Sequence, residues 1–451
     1  MKRSICLGLL FLFAILCSQL SAQSGSDIAA LRGLAPVSAL LNTEAGKAAL
    51  GANYTVTGGI QTGVIAQPTL LPFPEQQQQA MRDAFSTINN LAQLADGLGT
   101  TLGSAYVAHF HYIDQRRTST LPQSIGDLIR YATAISGSHS SEAKYLFANE
   151  TTDGKTAVSP DEVALLKEIR GVDDVFGKAY RLPAGSAGAD AYGNSRPYQT
   201  EPNVARFEGP DYLNRPAGNF VYNHGPVMDL TNSPSYPSGH TTYGYTGAVL
   251  LAVLVPERYA QMITRGAEYG NDRVIMGSHY VMDVLGGRTL ALYDVAHMLA
   301  NDPAYMGLSA RGAAPINDFQ KAVKTARAEL VRVLQNGCGN TIKVCATEDT
   351  GRFNNIVADE AFYESTQTYN LPVVYAKNAG LVEDVAKLAP EAGYLLTQAF
   401  PSLGLERANK ILTETEGPGG GFLDNGSAFG VYSRLNLYAA ALRARQVVEG
   451  N

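Results

Sequence analysis

Beyond its first 22 residues the sequence has no long apolar run, little cysteine and no surplus of positive charge. The longest later apolar stretch, Gly247 to Val255, is nine residues long and stops at Pro256; a membrane helix needs about twice that. With 35 Lys and Arg against 41 Asp and Glu, the 451-residue chain carries a net charge of −6. It therefore offers nucleic acid or anionic lipid no broad attraction, and any basic cluster in a site is local. Of the four cysteines, Cys6 and Cys17 fall in the leader described next, leaving Cys338 and Cys345. In an oxidising compartment this closely spaced pair predicts one local disulfide, a staple on a turn rather than a clamp on the fold. A metal site at the pair would need a third ligand, and none is suggested by spacing.

What is present begins with a leader. Lys2 and Arg3 precede the apolar run Ile5 to Cys17, and Ser21-Ala22 follows, the pattern of a secretory signal peptide over 1–22. Leu16 before Cys17 is too large for a lipoprotein site, so the expected product is a secreted, soluble protein of about 430 residues, enough for a large core.

Residues 23–73, rich in Gly, Ala and Thr, read as an irregular N-terminal segment. From 74 to 305 the pattern turns helical. Met81, Phe85, Ile88, Leu91 and Leu94 mark one face of a helix over Glu75 to Leu98. Further helices are expected at Ser124 to Ile135, Ser159 to Ala179, Thr241 to Val255, Pro256 to Tyr269 and His279 to Leu299. A C-terminal extension, 306–451, adds helices over Asn317 to Asn336 and Tyr432 to Val448 and is expected to pack on the core. Few runs alternate with period two, so the fold class is all-α. Pro183 to Tyr198 and Gly417 to Gly426 read as loops; the second lacks a P-loop Lys and is expected to cap the core rather than bind nucleotide.

Two stretches carry chemistry. In Ser235-Tyr-Pro-Ser-Gly-His240 a loop leads into the apolar run. A helix starting there would turn unpaired N–H groups and its dipole toward an anion, and Gly239 would allow close approach. An ordinary Ser N-cap is the bland alternative. In Asp272-Arg-Val-Ile-Met-Gly-Ser-His-Tyr-Val-Met-Asp283, His279 and Asp283 stand four apart. Placed on one helical face, the carboxylate would accept from His279 Nδ1 and leave Nε2 free as a nucleophile. Arg273 supplies a planar fork suited to phosphate oxygens.

These residues resemble the phosphatidic acid phosphatase type 2 superfamily, and within it the bacterial class A non-specific acid phosphatases, which are related to the vanadium haloperoxidases. That superfamily shows three motifs: Lys-x6-Arg-Pro, Pro-Ser-Gly-His and Ser-Arg-x5-His-x3-Asp. Pro237 to His240 matches the second, and Arg273, His279 and Asp283 match the third. The resemblance covers about residues 74 to 300 and implies a helical-bundle core of the acid phosphatase/vanadium haloperoxidase type. Two positions depart from it. Arg196-Pro197 supplies the first motif's Arg-Pro, but Ala189 stands where its Lys belongs; Lys178 is the expected substitute, with Arg181 its competitor. Asp272 occupies the place of Ser, where it would orient Arg273 or compete with phosphate for it.

Carried over residue by residue, the resemblance implies that His279 attacks phosphorus, giving a phosphohistidine, and that Asp283 steadies the charge on its ring. His240 would protonate the leaving alcohol. Lys178, Arg196 and Arg273 would neutralise the phosphoryl oxygens, with Ser238 and the Gly239 amide donating hydrogen bonds. No metal or cofactor is needed in such a scheme, and vanadate is expected to inhibit. A neutral His279 and a protonated His240 predict a bell-shaped pH profile.

The expected protein is thus a secreted, metal-independent acid phosphatase of the bacterial periplasm acting on small phosphate monoesters, with no nucleic-acid partner and no membrane span. A homo-oligomer stays open. A vanadium-dependent haloperoxidase, with vanadate as cofactor, and a non-catalytic phosphate-binding protein are the alternatives. His109, His111, His139, His224 and His297 are expected to be structural or superficial.

Overall fold

In this computed structural model, the described residues are 27–450 except 66, 85–89, 114–115, 171–173, 202–203, 205–229, 311 and 348–349; for 111–113 and 116–118 the backbone alone is described. The expected signal peptide and His224 therefore lie outside the described residues, as does the His111 side chain.

The described chain is helical apart from one hairpin. In order come α1 (Ile28–Leu34), α2 (Glu44–Thr62), α3 (Phe73–Asp83), α4 (Thr100–Val107), the antiparallel strands β1 (Phe110–Ile113) and β2 (Arg116–Ser119), α5 (Gln123–Asn149), α6 (Pro160–Glu168), α7 (Val175–Tyr180) and α8 (Pro197–Thr200). Then follow α9 (Gly239–Leu254), α10 (Tyr259–Ile275), α11 (Val281–Leu299), α12 (Phe319–Cys338), α13 (Ile342–Cys345), α14 (Ile356–Thr368), α15 (Val385–Leu388), α16 (Tyr394–Thr397), α17 (Leu405–Glu414), α18 (Ala428–Arg434) and α19 (Leu437–Glu449). Among the described residues no helix is long and apolar enough to cross a membrane.

The apolar sequence of α9 has no polar face, and the fold answers by surrounding it. It packs against α5, α10 and α11, and its residues from Gly244 to Leu254 are all buried. A helix apolar all round belongs inside a core. Glycine sets the closest approach: a Cβ at Gly244 would stand 2.3 Å from Tyr269 Cδ1 on α10. One continuous apolar cluster runs from Ala30 to Ala444, so the C-terminal helices share the core of α9 to α11. Tyr259 donates to Leu395 O at 2.9 Å, and Arg327 donates to Val253 O at 2.6 Å.

Several expected elements are corrected. The N-terminal segment is helical rather than irregular: Thr43 caps α2, Gly63 ends it with φ +73°, and its buried face is built from Gly46, Ala49, Leu50, Asn53, Thr57, Gly58 and Ile60. Small and polar residues allow close packing but leave no apolar period to read. The single helix expected over Glu75 to Leu98 stops at Asp83, and Leu91, at φ +57°, leads instead into a 3₁₀ turn over Ala92–Leu98. Residues 159–179 form two helices, as do 428–449, where Leu435 and Asn436 interrupt the run. Cys338 at the end of α12 and Cys345 closing α13 are bonded. The Gly417 to Gly426 loop is packed: Gly420 O accepts from Val374 N and Tyr375 N, and Phe422 lies against Tyr236 with ring centroids 6.3 Å apart.

Candidate active site

The site forms where the starts of α9 and α11 meet. Ser238 is the N-cap of α9; its Oγ accepts from Thr241 N at 3.2 Å, and its own N–H donates to Asp283 O at 2.9 Å. That bond joins the two helix starts. Ser238 thus does what the bland alternative foresaw, while Gly239 and His240 open the first turn of α9, where backbone N–H groups have no partner within the helix. Lys144 runs past Gly239: a Cβ there would sit 3.5 Å from Lys144 Cε, an ordinary contact.

His279 is not on the helix expected for it. Tyr280 is the N-cap of α11, and His279 precedes it on a turn made possible by Gly277 at φ +68°. The contact with Asp283 survives because Asp283 occupies the third position of α11 and reaches back over the cap. Its Oδ2 accepts from Tyr280 N at 2.8 Å and lies 3.2 Å from His279 Nδ1. The hydroxyl of Ser235 donates to the same oxygen. An ionised carboxylate only accepts and a guanidinium only donates. So Nδ1 carries the imidazole proton, and Nε2, 3.0 Å from Arg196 Nη1, is the bare nitrogen.

Arg196, the N-cap residue of α8, is fully buried. Nε donates to Ser233 O at 2.9 Å, Nη1 to Ser278 O at 2.9 Å, and Nη2 to Ser233 Oγ at 3.1 Å and Pro234 O at 3.3 Å. Counting the bond to His279, all its donors are engaged within the protein. Arg273, in the last turn of α10, is buried as well.

The lysine here is not Lys178. That residue stands exposed on α7. The buried amine belongs to Lys144 of α5, whose Nζ donates to Pro234 O at 2.7 Å and Ser235 O at 3.4 Å. The reason lies in chain path: helices α6 and α7 are inserted between Lys144 and Arg196, so the expected short spacing is replaced by 52 residues. Sequence reading missed Lys144 because it sought a lysine near Arg196; its place on the inner face of a long, buried helix was the signal available.

Asp272 turns away from Arg273. Its Oδ1 accepts from Gln76 Nε2 at 2.9 Å, and its carboxyl shares a hydrogen bond with Asp83. It belongs to a buried network in which Arg265 bridges Asp83 at 2.6 Å and Asp96 at 2.8 Å, while Arg352 from the C-terminal extension meets Glu268 at 2.6 Å and Asp96 at 2.7 Å. It neither orients Arg273 nor competes for its ligand.

The electrostatics follow from crowding cations in a buried place. Burial, then Arg196, Lys144 and Arg273, hold the His279 pKa well below its ordinary value. His240, partly exposed, is lowered by burial and by Arg273, Arg196 and Lys144. Burial likewise lowers Lys144, aided by repulsion from Arg196, and brings Arg196 down to about 10. Burial pushes Asp283 up to about 7 against the pull of its hydrogen bonds from Ser235 and Tyr280.

Among the described residues, one group of three metal-ligating side chains converges: Asp27, His139 and Asp294, with ligand atoms within 4.8 Å of one another. Hydrogen bonds already join them, since His139 Nδ1 lies 3.0 Å from Asp294 Oδ1 and the Tyr305 hydroxyl lies within hydrogen-bond reach of both carboxylates. Asp294 is eleven residues along α11 from Asp283, about 16 Å away. His109 Nδ1 lies 2.8 Å from Thr120 Oγ1, and His297 Nδ1 lies 2.6 Å from Asp302 Oδ2.

Part of the chain is similar to known proteins. Residues 190–301 match the PAP2 superfamily. The match is one of similarity over this segment, about a quarter of the chain. The segment holds Arg196, Ser238, Gly239, His240, Arg273, His279 and Asp283, whereas Lys144 lies before it and reaches the site through the fold alone. The chain is 31% identical over 123 residues to an acid phosphatase of Zymomonas mobilis, covering 27% of this chain and 41% of that protein. It is 39% identical over 89 residues to a non-specific acid phosphatase of Salmonella typhimurium, covering 20% and 35%. A non-specific acid phosphatase of Providencia stuartii is 33% identical over 104 residues, covering 23% and 36%. The matched part thus spans about two fifths or less of these relatives.

Proposed function

We propose that the protein is a phosphatase that hydrolyses phosphate monoesters through a phosphohistidine at His279. The observation that carries this reading is the fixed imidazole: Nδ1 held on Asp283, Nε2 bare and aimed at a buried guanidinium. The PAP2 match and the acid phosphatase relatives support the reaction class.

In the first step a phosphoryl oxygen replaces Nε2 as acceptor for Arg196 Nη1, and the Nε2 lone pair attacks phosphorus in line. An N–P bond forms, the P–O ester bond breaks, and His240 gives its proton to the departing alkoxide. Asp283 compensates the positive charge gained by the His279 ring. In the second step water attacks phosphorus, His240 takes the proton, and the N–P bond breaks to release inorganic phosphate. Lys144, Arg196 and Arg273 neutralise the phosphoryl oxygens together with the Gly239 and His240 amides at the start of α9. Lys144 replaces Lys178 in this assignment. The scheme consumes no redox equivalent and no cofactor, and vanadate would compete with phosphate for the same cations.

The test is hydrolysis of para-nitrophenyl phosphate in chelator across about pH 4 to 9, a range spanning both histidine ionisations, by the full chain and by a folded His279→Ala variant. Turnover lost in the variant supports the reading. A folded wild type that is inert on this and other monoesters, yet oxidises halide with peroxide once vanadate is added, would sink it in favour of a haloperoxidase.

A further inference from the structure

One hydroxyl at the site has no part in that scheme. Ser235, fully buried, opens the segment that leads into α9, and its backbone N–H donates to Asn194 O at 2.8 Å. Its Oγ donates to Asp283 Oδ2. That oxygen thereby accepts three donors, from Ser235, Tyr280 N and His279 Nδ1. The other carboxylate oxygen, Oδ1, is buried and has no hydrogen-bond partner among the described residues.

We propose that Ser235 is a positioning residue, whose hydroxyl fixes the Asp283 carboxylate so that Oδ2 stays the charged acceptor of His279 Nδ1–H and Nε2 stays bare. The inference rests on the phosphatase reading for its kinetic consequence but not for its structural one. The two oxygens of a carboxylate are equivalent until their neighbours make them differ. Here three donors lie on one side, and Ser235 supplies the one that belongs neither to the imidazole nor to the α11 cap.

The charged groups facing Asp283 come from several elements. Lys144 of α5, Arg196 before α8, Arg273 of α10 and His279 stand on the cationic side; Tyr180 of α7, Tyr236 and Tyr280 supply hydroxyls raised first by burial and further by the carboxylate. Burial works against the charge on Asp283, and the Ser235 hydrogen bond works for it. Removing the hydroxyl therefore leaves the carboxyl easier to protonate, and a protonated Asp283 no longer holds the Nδ1 proton in place.

The experiment compares wild type, Ser235→Ala and the near-isosteric, weaker donor Ser235→Cys, each checked for folding by its thermal melt. The expected result is an acid limb of kcat/KM moved upward by about one pH unit in Ser235→Ala and by less in Ser235→Cys, with kcat reduced and KM little changed. An acid limb unmoved in both variants overturns the proposal, whether or not kcat falls. Should wild type itself be inert, the phosphatase reading fails on its own, and ¹⁵N NMR of the histidine rings still decides. In the wild type His279 should show a protonated Nδ1 and a bare Nε2, with mixed tautomers or imidazolium at higher pH in Ser235→Ala. Identical His279 spectra overturn the proposal.

Discussion

Among the described residues Lys144 has no carboxylate in direct contact, and it is held by backbone carbonyls of Pro234 and Ser235 beside two buried guanidiniums. Its neighbours at the site are thus two further cations, Arg196 and Arg273. Lys144→Met should lower kcat/KM for a phosphate ester by about 100-fold, the scale of losing one preorganised donor to a developing charge, while Lys178→Ala on the exposed face of α7 should leave it within about twofold. Steady-state kinetics on the pair of variants checks both. The same crowding predicts a proton coupling. Burial and three cations depress His240, so an oxyanion that neutralises those cations raises its pKa. Binding of inorganic phosphate near pH 6 should therefore take up protons, read by calorimetry in buffers of different ionisation heat; buffer-independent heats would contradict it. These residues were unequally legible. Pro237 to His240 and Arg273 to Asp283 are contiguous motifs whose side chains converge through two helix starts, whereas Lys144 becomes a neighbour only because α5 passes Gly239.

Helices α9 and α10 owe their contact to missing side chains. Gly244→Ala would ordinarily stabilise an exposed helix by reducing the freedom of the unfolded chain. Here the added carbon meets the Tyr269 ring at 2.3 Å, so the variant should lose about 1–3 kcal/mol, the usual cost of overpacking, seen as a lower Tm. The sequence suggested α9 as a buried helix from its unbroken apolar run, expected from Thr241; the Ser238 cap starts it two residues earlier, at Gly239. It did not suggest that α3 ends at Asp83. The buried surface of α3 is carried by Gln76, Gln79, Arg82 and Asp83 as well as Ala80 and Met81, and those polar groups face the ionic network around Arg265, whose members lie far apart in the chain.

Across the whole molecule, that network ties the C-terminal extension to the core through Arg352. Arg352→Met would leave Asp96 and Glu268 short of one cation in a buried place; the expected loss is about 3–5 kcal/mol, measured by denaturant unfolding. Stability should also depend on pH in a definite direction. Asp283, Asp359 and Glu383 are raised to about 7, mainly by burial, and Asp272 is raised well above the ordinary carboxylate value. Each binds its proton more tightly folded than unfolded. Their contribution is full below about pH 4, the unfolded value, and is lost as pH rises through the folded one. His139, raised to about 9 by Asp294 against burial, loses its contribution between about pH 6.5 and 9. Lys144, His240 and His279, lowered first by burial, run the other way, three groups against these five. Tm should therefore be higher at pH 6 than at pH 9, and a flat or rising profile would refute the balance.

The sequence by itself determined the helical class, the local disulfide and most of the candidate site, because each is written in neighbouring residues: an apolar period, two cysteines seven apart, two short motifs. Tertiary structure alone decided what depends on chain path. It chose Lys144 over Lys178 by threading α5 past Gly239, and it turned Asp272 away from Arg273 into a carboxylate and guanidinium network. It also set His279 ahead of its helix, with the Asp283 contact preserved by the cap. The physical reason is common to all three. A buried charge takes its place from the partners that desolvation forces on it, and those partners are chosen by packing between segments that the sequence keeps far apart.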